Sequence, residues 1–215
     1  MIHQYMSIII ESGRRKTGLN TNPIVNDYNI VNFQEFINLV EDYLLVGLRL
    51  EVPNNNYRLP RQLAIRFVII PNYQSNYLKF DKIILGEKYY LDDFNTIKKF
   101  RIPITPMYIS YICSLGNIKT LEYLLNTNKI VEYDTDALHV ASSKGHVDVL
   151  TWWLKSGLEL KYTKSPLWHA CCIKHMHVLE WWKNSGLPMS YPISLITSEC
   201  YRLWVKKNQS TLKIY

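Results

Sequence analysis

Apolar and polar residues recur in a fixed register over the C-terminal half of the chain. Two stretches, beginning at Asp136 and Ser165, carry the same order of apolar, small and glycine positions. The step between equivalent positions is about 29 residues, and a period of this size is typical of stacked repeats. The same step backwards reaches Met107, where a fainter copy begins. The residue pairs in this register are Trp152 and Trp181, Trp153 and Trp182, Leu150 and Leu179, Gly157 and Gly186, and Tyr162 and Tyr191.

Each copy predicts two short helices. Asp136 is expected to cap the first helix, and Gly145 to end it in the left-handed conformation. Gly157 is expected to close the second helix. The apolar stripe of that second helix comprises Val149, Leu150, Trp153 and Leu154. Because a two-helix unit of this size cannot bury both of its faces, the units must stack, and we expect the tryptophans to pack between them.

The motif residues resemble the ankyrin repeat. The family's Thr-Pro-Leu-His-x-Ala opening is matched by DALHVA from Asp136 and by SPLWHA from Ser165, and its Gly-His by Gly145-His146. This resemblance, over 107–191, implies three repeats in a mainly α, ankyrin-like helix-turn-helix solenoid that binds another protein. It implies a concave surface made by the first helices and the turns. The candidate partner-binding residues on that surface are Tyr133, His139, Lys161, Tyr162, Lys164 and Trp168.

The copies depart from the family in length. The family period is about 33 residues, and this one is about four shorter. The missing residues fall between Gly157 and Ser165, where the family builds a turn finger.

The remaining sequence divides into three parts. Residues 1–30 are expected to be an irregular lead-in. Residues 31–106 are expected to be helical or mixed, with eroded earlier repeats as one interpretation, and 33–48 carry the pattern of an amphipathic helix. Residues 192–215 are expected to form a capping helix and a tail. In that helix, Leu203 and Trp204 would cover the last repeat.

Three segments before the repeats carry less specific patterns. Leu63 to Ile70 is an apolar run that periodicity cannot assign to helix or strand. Gly86 could turn a hairpin or end a helix. Asp92 to Phe100 has a helical pattern and could be the second helix of an eroded repeat.

The charge is uneven. The chain of 215 residues has a formal net charge of +7. Residues 57–101 carry nine lysines and arginines against four acidic residues. Nucleic-acid binding through this stretch is therefore an alternative function, and it requires the basic residues to share one face. A basic excess is more often a solvated surface, so nucleic acid is not the favoured partner.

Five cysteines and histidines near Ala170 are residue types that can bind zinc. His169, Cys171, Cys172, His175 and His177 are crowded, but they have no Cys-x-x-Cys spacing, so we expect no metal site and no cofactor. The adjacent Cys171 and Cys172 do not suit a structural disulfide. Cysteines of this kind are typical of a reducing compartment. The longest apolar run is far shorter than a membrane span, so we expect a cytoplasmic protein without a membrane segment.

No motif of an enzyme is present. The chain lacks a glycine-rich phosphate loop, His-Glu-x-x-His and Gly-x-Ser-x-Gly. The main interpretation is therefore a non-enzymatic ankyrin-repeat protein that mediates protein–protein interaction. An alternative is a ubiquitin-ligase substrate adaptor, because residues 59–70 resemble the opening of an F-box. A helix over 59–70 would favour that alternative, and a strand there would remove it. The sequence identifies neither the partner nor the oligomeric state.

Overall fold

The computed structural model describes residues 3–10, 18–21, 29–31, 63–70, 82–163, 170, 175–188 and 199–208. The chain divides into two units, residues 1–103 and 104–215. The described part is mainly helical: all of its strands lie in the first unit, and all but one of its helices lie in the second.

The strands of the first unit form one antiparallel sheet. They are β1 (His3–Ile10), β2 (Gly18–Thr21), β3 (Asn29–Val31), β4 (Leu63–Ile70) and β5 (Lys82–Tyr90). Their order across the sheet is β2-β5-β4-β1-β3. The expectation of an irregular lead-in over 1–30 is therefore wrong for three segments. The sequence feature that favours strand β1 is the β-branched run Ile8-Ile9-Ile10, which pairs with Leu63 to Ile65 of β4.

The run Leu63 to Ile70 is a strand, with Leu63 to Arg66 buried. The helix required by the adaptor interpretation is therefore absent from the described part of 59–70, and residues 59–62 lie outside it. Gly86 neither turns a hairpin nor ends a helix. It lies inside β5 at a register shift between Arg66 and Val68, where an added Cβ would stand 3.2 Å from the Phe67 carbonyl oxygen. Glycine at this bulge lets the two strands approach closely.

Helix α1 (Phe94–Phe100) packs on the sheet of the first unit. Its first turn is capped by Asp93, whose carboxylate accepts from the Thr96 backbone nitrogen at 3.0 Å. The Phe100 ring lies 5.9 Å from Phe67 and 5.1 Å from Tyr89, measured between centroids. The predicted helix is confirmed. Its interpretation as half of an eroded repeat is wrong, because its apolar side packs on strands. The helix predicted at 33–48 lies outside the described residues.

The second unit contains six described helices. They are α2 (Pro106–Ser114), α3 (Ile118–Asn126), α4 (Asp136–Lys144), α5 (Val147–Lys155), α6 (Met176–Asn184) and α7 (Glu199–Asn208). Helices α3, α5 and α6 begin 29 residues apart and end 29 residues apart. Helix α2 packs on α4, α3 on α5, and α5 on α6. The period read from the sequence is thus also the period of the helices.

Left-handed residues keep the same period. Gly116 (φ 71°) follows α2 and Gly145 (φ 82°) follows α4. Asn128 (φ 52°), Gly157 (φ 77°) and Gly186 (φ 73°) follow the second helices, again 29 residues apart. The predicted left-handed end at Gly145 is confirmed, and Gly157, predicted to close the second helix, is also left-handed. Asparagine is the residue besides glycine that most readily adopts this conformation, which explains the substitution in the first copy.

The apolar stripe of each second helix is buried at three positions. In α5 these are Val149, Leu150 and Trp153, each with 0% exposure. Leu154 is 41% exposed, so its assignment to the buried stripe is wrong. Leu154 directly follows Trp153, so its side chain points roughly 100° round the helix from the buried indole and from the contact with the preceding repeat.

Two further details correct the sequence analysis. Asp136 is not the cap of α4; the cap position is Thr135, and Asp136 lies in the first turn. A carboxylate there still interacts favourably with the helix dipole. The predicted C-terminal helix is confirmed as α7, with Trp204 buried, but Leu203 is 61% exposed, so it is not part of the buried contact that was expected of it.

We expect Gly145→Ala to destabilise the chain more than Gly157→Ala. Both glycines have a positive φ, which costs a residue with a Cβ about 1 kcal/mol. At Gly145 the added Cβ would also stand 3.0 Å from the His175 ring, whereas at Gly157 nothing lies within 4 Å. The extra steric cost should be about 1 kcal/mol. Urea unfolding of the two variants checks this, and equal costs would contradict the packing of His175 on Gly145.

Candidate partner-binding surface

A buried tryptophan joins each second helix to the preceding repeat. The Trp153 indole nitrogen of α5 donates to the Cys113 sulfur of α2 at 3.3 Å. The Trp182 indole nitrogen of α6 donates to the Ser142 hydroxyl of α4 at 2.9 Å. Both tryptophans have 0% exposure, and Cys113 and Ser142 occupy equivalent positions in their repeats. Since a buried N–H needs an acceptor, this contact fixes how adjacent repeats pack.

The turn tyrosines predicted as partner-binding residues lie over these tryptophans. The Tyr133 ring is 5.0 Å from the Trp153 ring, and the Tyr162 ring is 5.3 Å from the Trp182 ring. The Tyr133 hydroxyl donates to the Glu159 carbonyl oxygen at 2.9 Å. The Tyr162 hydroxyl donates to the Pro188 carbonyl oxygen at 3.4 Å. Both tyrosines therefore tie one turn to the next, and only part of each ring can face a partner.

These contacts shift the acidity of three groups. Burial raises the pKa of the Cys113 thiol to about 12, against a smaller lowering by the Trp153 hydrogen bond. Burial, and then the Glu159 carboxylate, raise the pKa of Tyr133, while its bond to the Glu159 carbonyl lowers it. Burial also raises the pKa of Tyr162. All three shifts favour the neutral form of the group, as is expected of side chains packed between repeats.

Lys161 lies beside Tyr133. Its ammonium nitrogen is 4.6 Å from the Tyr133 ring centroid and donates to the Tyr133 carbonyl oxygen at 3.4 Å. Of the six predicted residues, the structure thus brings together Tyr133 and Lys161, and Tyr162 repeats the tyrosine contact one repeat later. His139 is partly exposed on α4. Lys164 and Trp168 lie outside the described residues.

Histidines at the N-caps of the second helices, His146 and His175, form a second contact between repeats. The His146 Nε2 atom is 2.9 Å from the Ser114 carbonyl oxygen, and the His146 ring covers Gly116. The His175 ring covers Gly145 in the same way. The sequence predicted no contact of these side chains with the preceding repeat. The sequence feature that could have predicted this contact is the Gly-His motif. The glycine of each motif position packs against the histidine of the following repeat, not against its own neighbour.

The predicted absence of a metal site concerned five residues, of which the structure describes His175 and His177. Their rings are 5.4 Å apart, and His177 Nε2 lies 3.0 Å from the Gly145 carbonyl oxygen. Within the described segments, no group of three histidine, cysteine or acidic side chains is arranged to hold a metal ion. No helix among the described residues is long and apolar enough to cross a membrane.

The described basic residues of the stretch 57–101 differ in exposure. Arg66 is 2% exposed in β4. Lys99 is exposed, and its ammonium nitrogen lies 4.0 Å from the Tyr89 ring centroid. Arg66 is therefore not available for a phosphate contact, which needs an exposed cation, and nucleic-acid binding through this stretch stays a prediction.

Comparison with protein-family models, with curated proteins and with solved structures found no match to this chain.

We expect Ser142→Ala to destabilise the chain by about 1–3 kcal/mol, because it leaves the buried Trp182 N–H without its acceptor. Ser142→Cys is the matched control. It copies the arrangement of Cys113 with Trp153 in the preceding repeat, so it should cost clearly less. Urea unfolding measures both changes. A cysteine variant as unstable as the alanine variant would show that the acceptor atom is unimportant.

Stability should also depend on Cys113 at alkaline pH. The folded thiol has a pKa of about 12, raised from 9.0 by burial, so its contribution is complete below pH 9.0 and is lost as pH rises towards 12. Cys113→Ser has no such titration. The unfolding free energy of the wild type should therefore fall relative to the variant by up to about 1.4 kcal/mol for each pH unit above 9.0. Urea unfolding in reducing buffer measures this, and parallel pH profiles would contradict it.

Proposed function

We propose that this chain is a non-enzymatic ankyrin-repeat protein that mediates protein–protein interaction in the cytoplasm. The observation that carries the proposal is the 29-residue recurrence of helices α3, α5 and α6. The tryptophan contact to the preceding repeat recurs with it. Helix-turn-helix units joined only to their neighbours form extended surfaces, and such surfaces serve recognition.

The polar groups of the second unit support a binding role over a chemical one. The Tyr133 and Tyr162 hydroxyls and the His146 ring are hydrogen-bonded to carbonyl oxygens of neighbouring turns. A general base or nucleophile needs a reacting partner within reach and a matched pKa. These groups instead hold the repeats in register.

The proposed partner-binding surface comprises the first helices and the turns. Two polar residues of this surface are partly exposed: His139 on α4 and Lys161 on the turn after α5. Tyr133 supports Lys161 through the contact of the ring with the ammonium group. The full candidate set remains Tyr133, His139, Lys161, Tyr162, Lys164 and Trp168. Stacking places equivalent positions of successive repeats side by side, so a partner would contact several repeats at once.

The test is capture of proteins on the immobilised full-length chain. The surface variant carries His139→Ala and Lys161→Ala, and the matched control carries Glu122→Ala and Lys155→Ala, which are exposed on second helices. A specific protein partner should bind the wild type and the control. Its affinity for the surface variant should fall about tenfold or more, because a few residues dominate most interfaces.

Two outcomes would contradict the proposal. One is equal loss of binding in the surface variant and the control, since the surface would then be misplaced. The other is retention of nucleic acid in place of protein, with affinity that falls steeply as salt increases.

A further inference from the structure

The C-terminal helix α7 is held on α6 by two polar contacts. The Trp204 indole nitrogen donates to the Glu180 carboxylate, and the Lys183 ammonium group donates to the Asn208 side-chain oxygen at 2.6 Å. Trp204 is 5% exposed and Asn208 is 7% exposed. The other side of α7 is exposed and mostly basic, comprising Arg202, Leu203, Lys206 and Lys207.

The Trp204 contact copies a contact between repeats. One repeat earlier, the Trp181 indole nitrogen of α6 donates to the Thr151 hydroxyl of α5 at 2.9 Å. Glu180 is the equivalent of Thr151, 29 residues later. On α6, Trp204 of α7 therefore makes the contact that a tryptophan from a further repeat would make.

The surface beneath α7 nevertheless differs from its equivalent on α5. Glu180 and Lys183 replace Thr151 and Leu154. They form an ion pair at 3.9 Å, with side-chain exposures of 45% and 25%. A further repeat with an apolar face would bury these charges without the partners that α7 supplies, and burial of unpaired charge is costly.

We propose that Glu180 and Lys183 make this surface of α6 specific for α7, so that the chain's own C-terminal helix blocks stacking with a second copy. The second copy is the relevant competitor because this surface continues the series of contacts from α3 to α5 to α6. A stack between copies through such a surface would be head-to-tail and would not close on itself. The two charged residues are therefore specificity-determining residues for the docking of α7.

The experiment replaces both residues in the full-length chain by those of the preceding repeat, as Glu180→Thr with Lys183→Leu. We expect amide hydrogen exchange in α7 to become about tenfold faster or more, because Lys183→Leu removes the hydrogen bond to Asn208. The threonine at position 180 can still accept from Trp204, as Thr151 accepts from Trp181. We also expect the mass from light scattering to rise with concentration relative to the wild type. Glu180→Gln is the matched control. It keeps an oxygen acceptor for Trp204, so it should retain the wild-type mass and protection of α7.

Faster exchange in α7 together with concentration-dependent association supports the proposal. A wild-type mass at every concentration, or wild-type protection of α7, overturns it. If the double variant does not fold, Trp204→Phe tests the docking of α7 on Glu180 by hydrogen exchange. This substitution keeps an aromatic ring and removes only the donor to Glu180. Exchange in α7 about tenfold faster supports the proposal, and unchanged exchange overturns it.

Discussion

The second unit depends on a buried indole that its own repeat cannot satisfy. Trp153 and Trp182 are fully buried, and their N–H groups find acceptors on the first helix of the preceding repeat. A buried donor without an acceptor would cost a large part of the stability of a domain. Each repeat therefore needs its predecessor, and Tyr133 and Tyr162 complete the arrangement by covering the indoles from the turns.

A second constraint acts through the backbone. Gly116 and Gly145 are left-handed, and the rings of His146 and His175 occupy the space that a Cβ would take. The same glycine is therefore needed both for the left-handed backbone and for the packing of the next repeat. A residue other than glycine at position 145 would strain the turn and displace the His175 ring of the next repeat.

At the C-terminal end, helix α7 covers the face of α6 on which a further repeat would stack. Helix α7 supplies an indole to Glu180 just as α6 supplies one to Thr151. The side of α7 with Arg202, Lys206 and Lys207 faces solvent. The last repeat of a stack has no neighbour to cover its stacking face, and an end helix with a polar outer face covers it.

The sequence by itself determined the period, the left-handed glycines and the helices of the second unit. These features depend on residues within a few turns of one another, such as Val149, Leu150 and Trp153 on one helical face. For the same reason the local pattern predicted α1 and α7. It also placed Tyr133, Lys161 and Tyr162 on turns, because equivalent tyrosines follow the glycine positions.

Only the tertiary structure decided the sheet and the roles of the turn residues. β1 finds its partner β4 more than fifty positions along the chain, and a short apolar run such as Leu63 to Ile70 becomes a strand only when that partner is present. Leu154 and Leu203 are apolar and were expected to be buried, but they are 41% and 61% exposed, because burial depends on which neighbouring element packs on each position. The acceptors for Trp153 and Trp182 lie 40 residues away. A hydrogen bond over that separation depends on how the repeats pack, which no local pattern encodes.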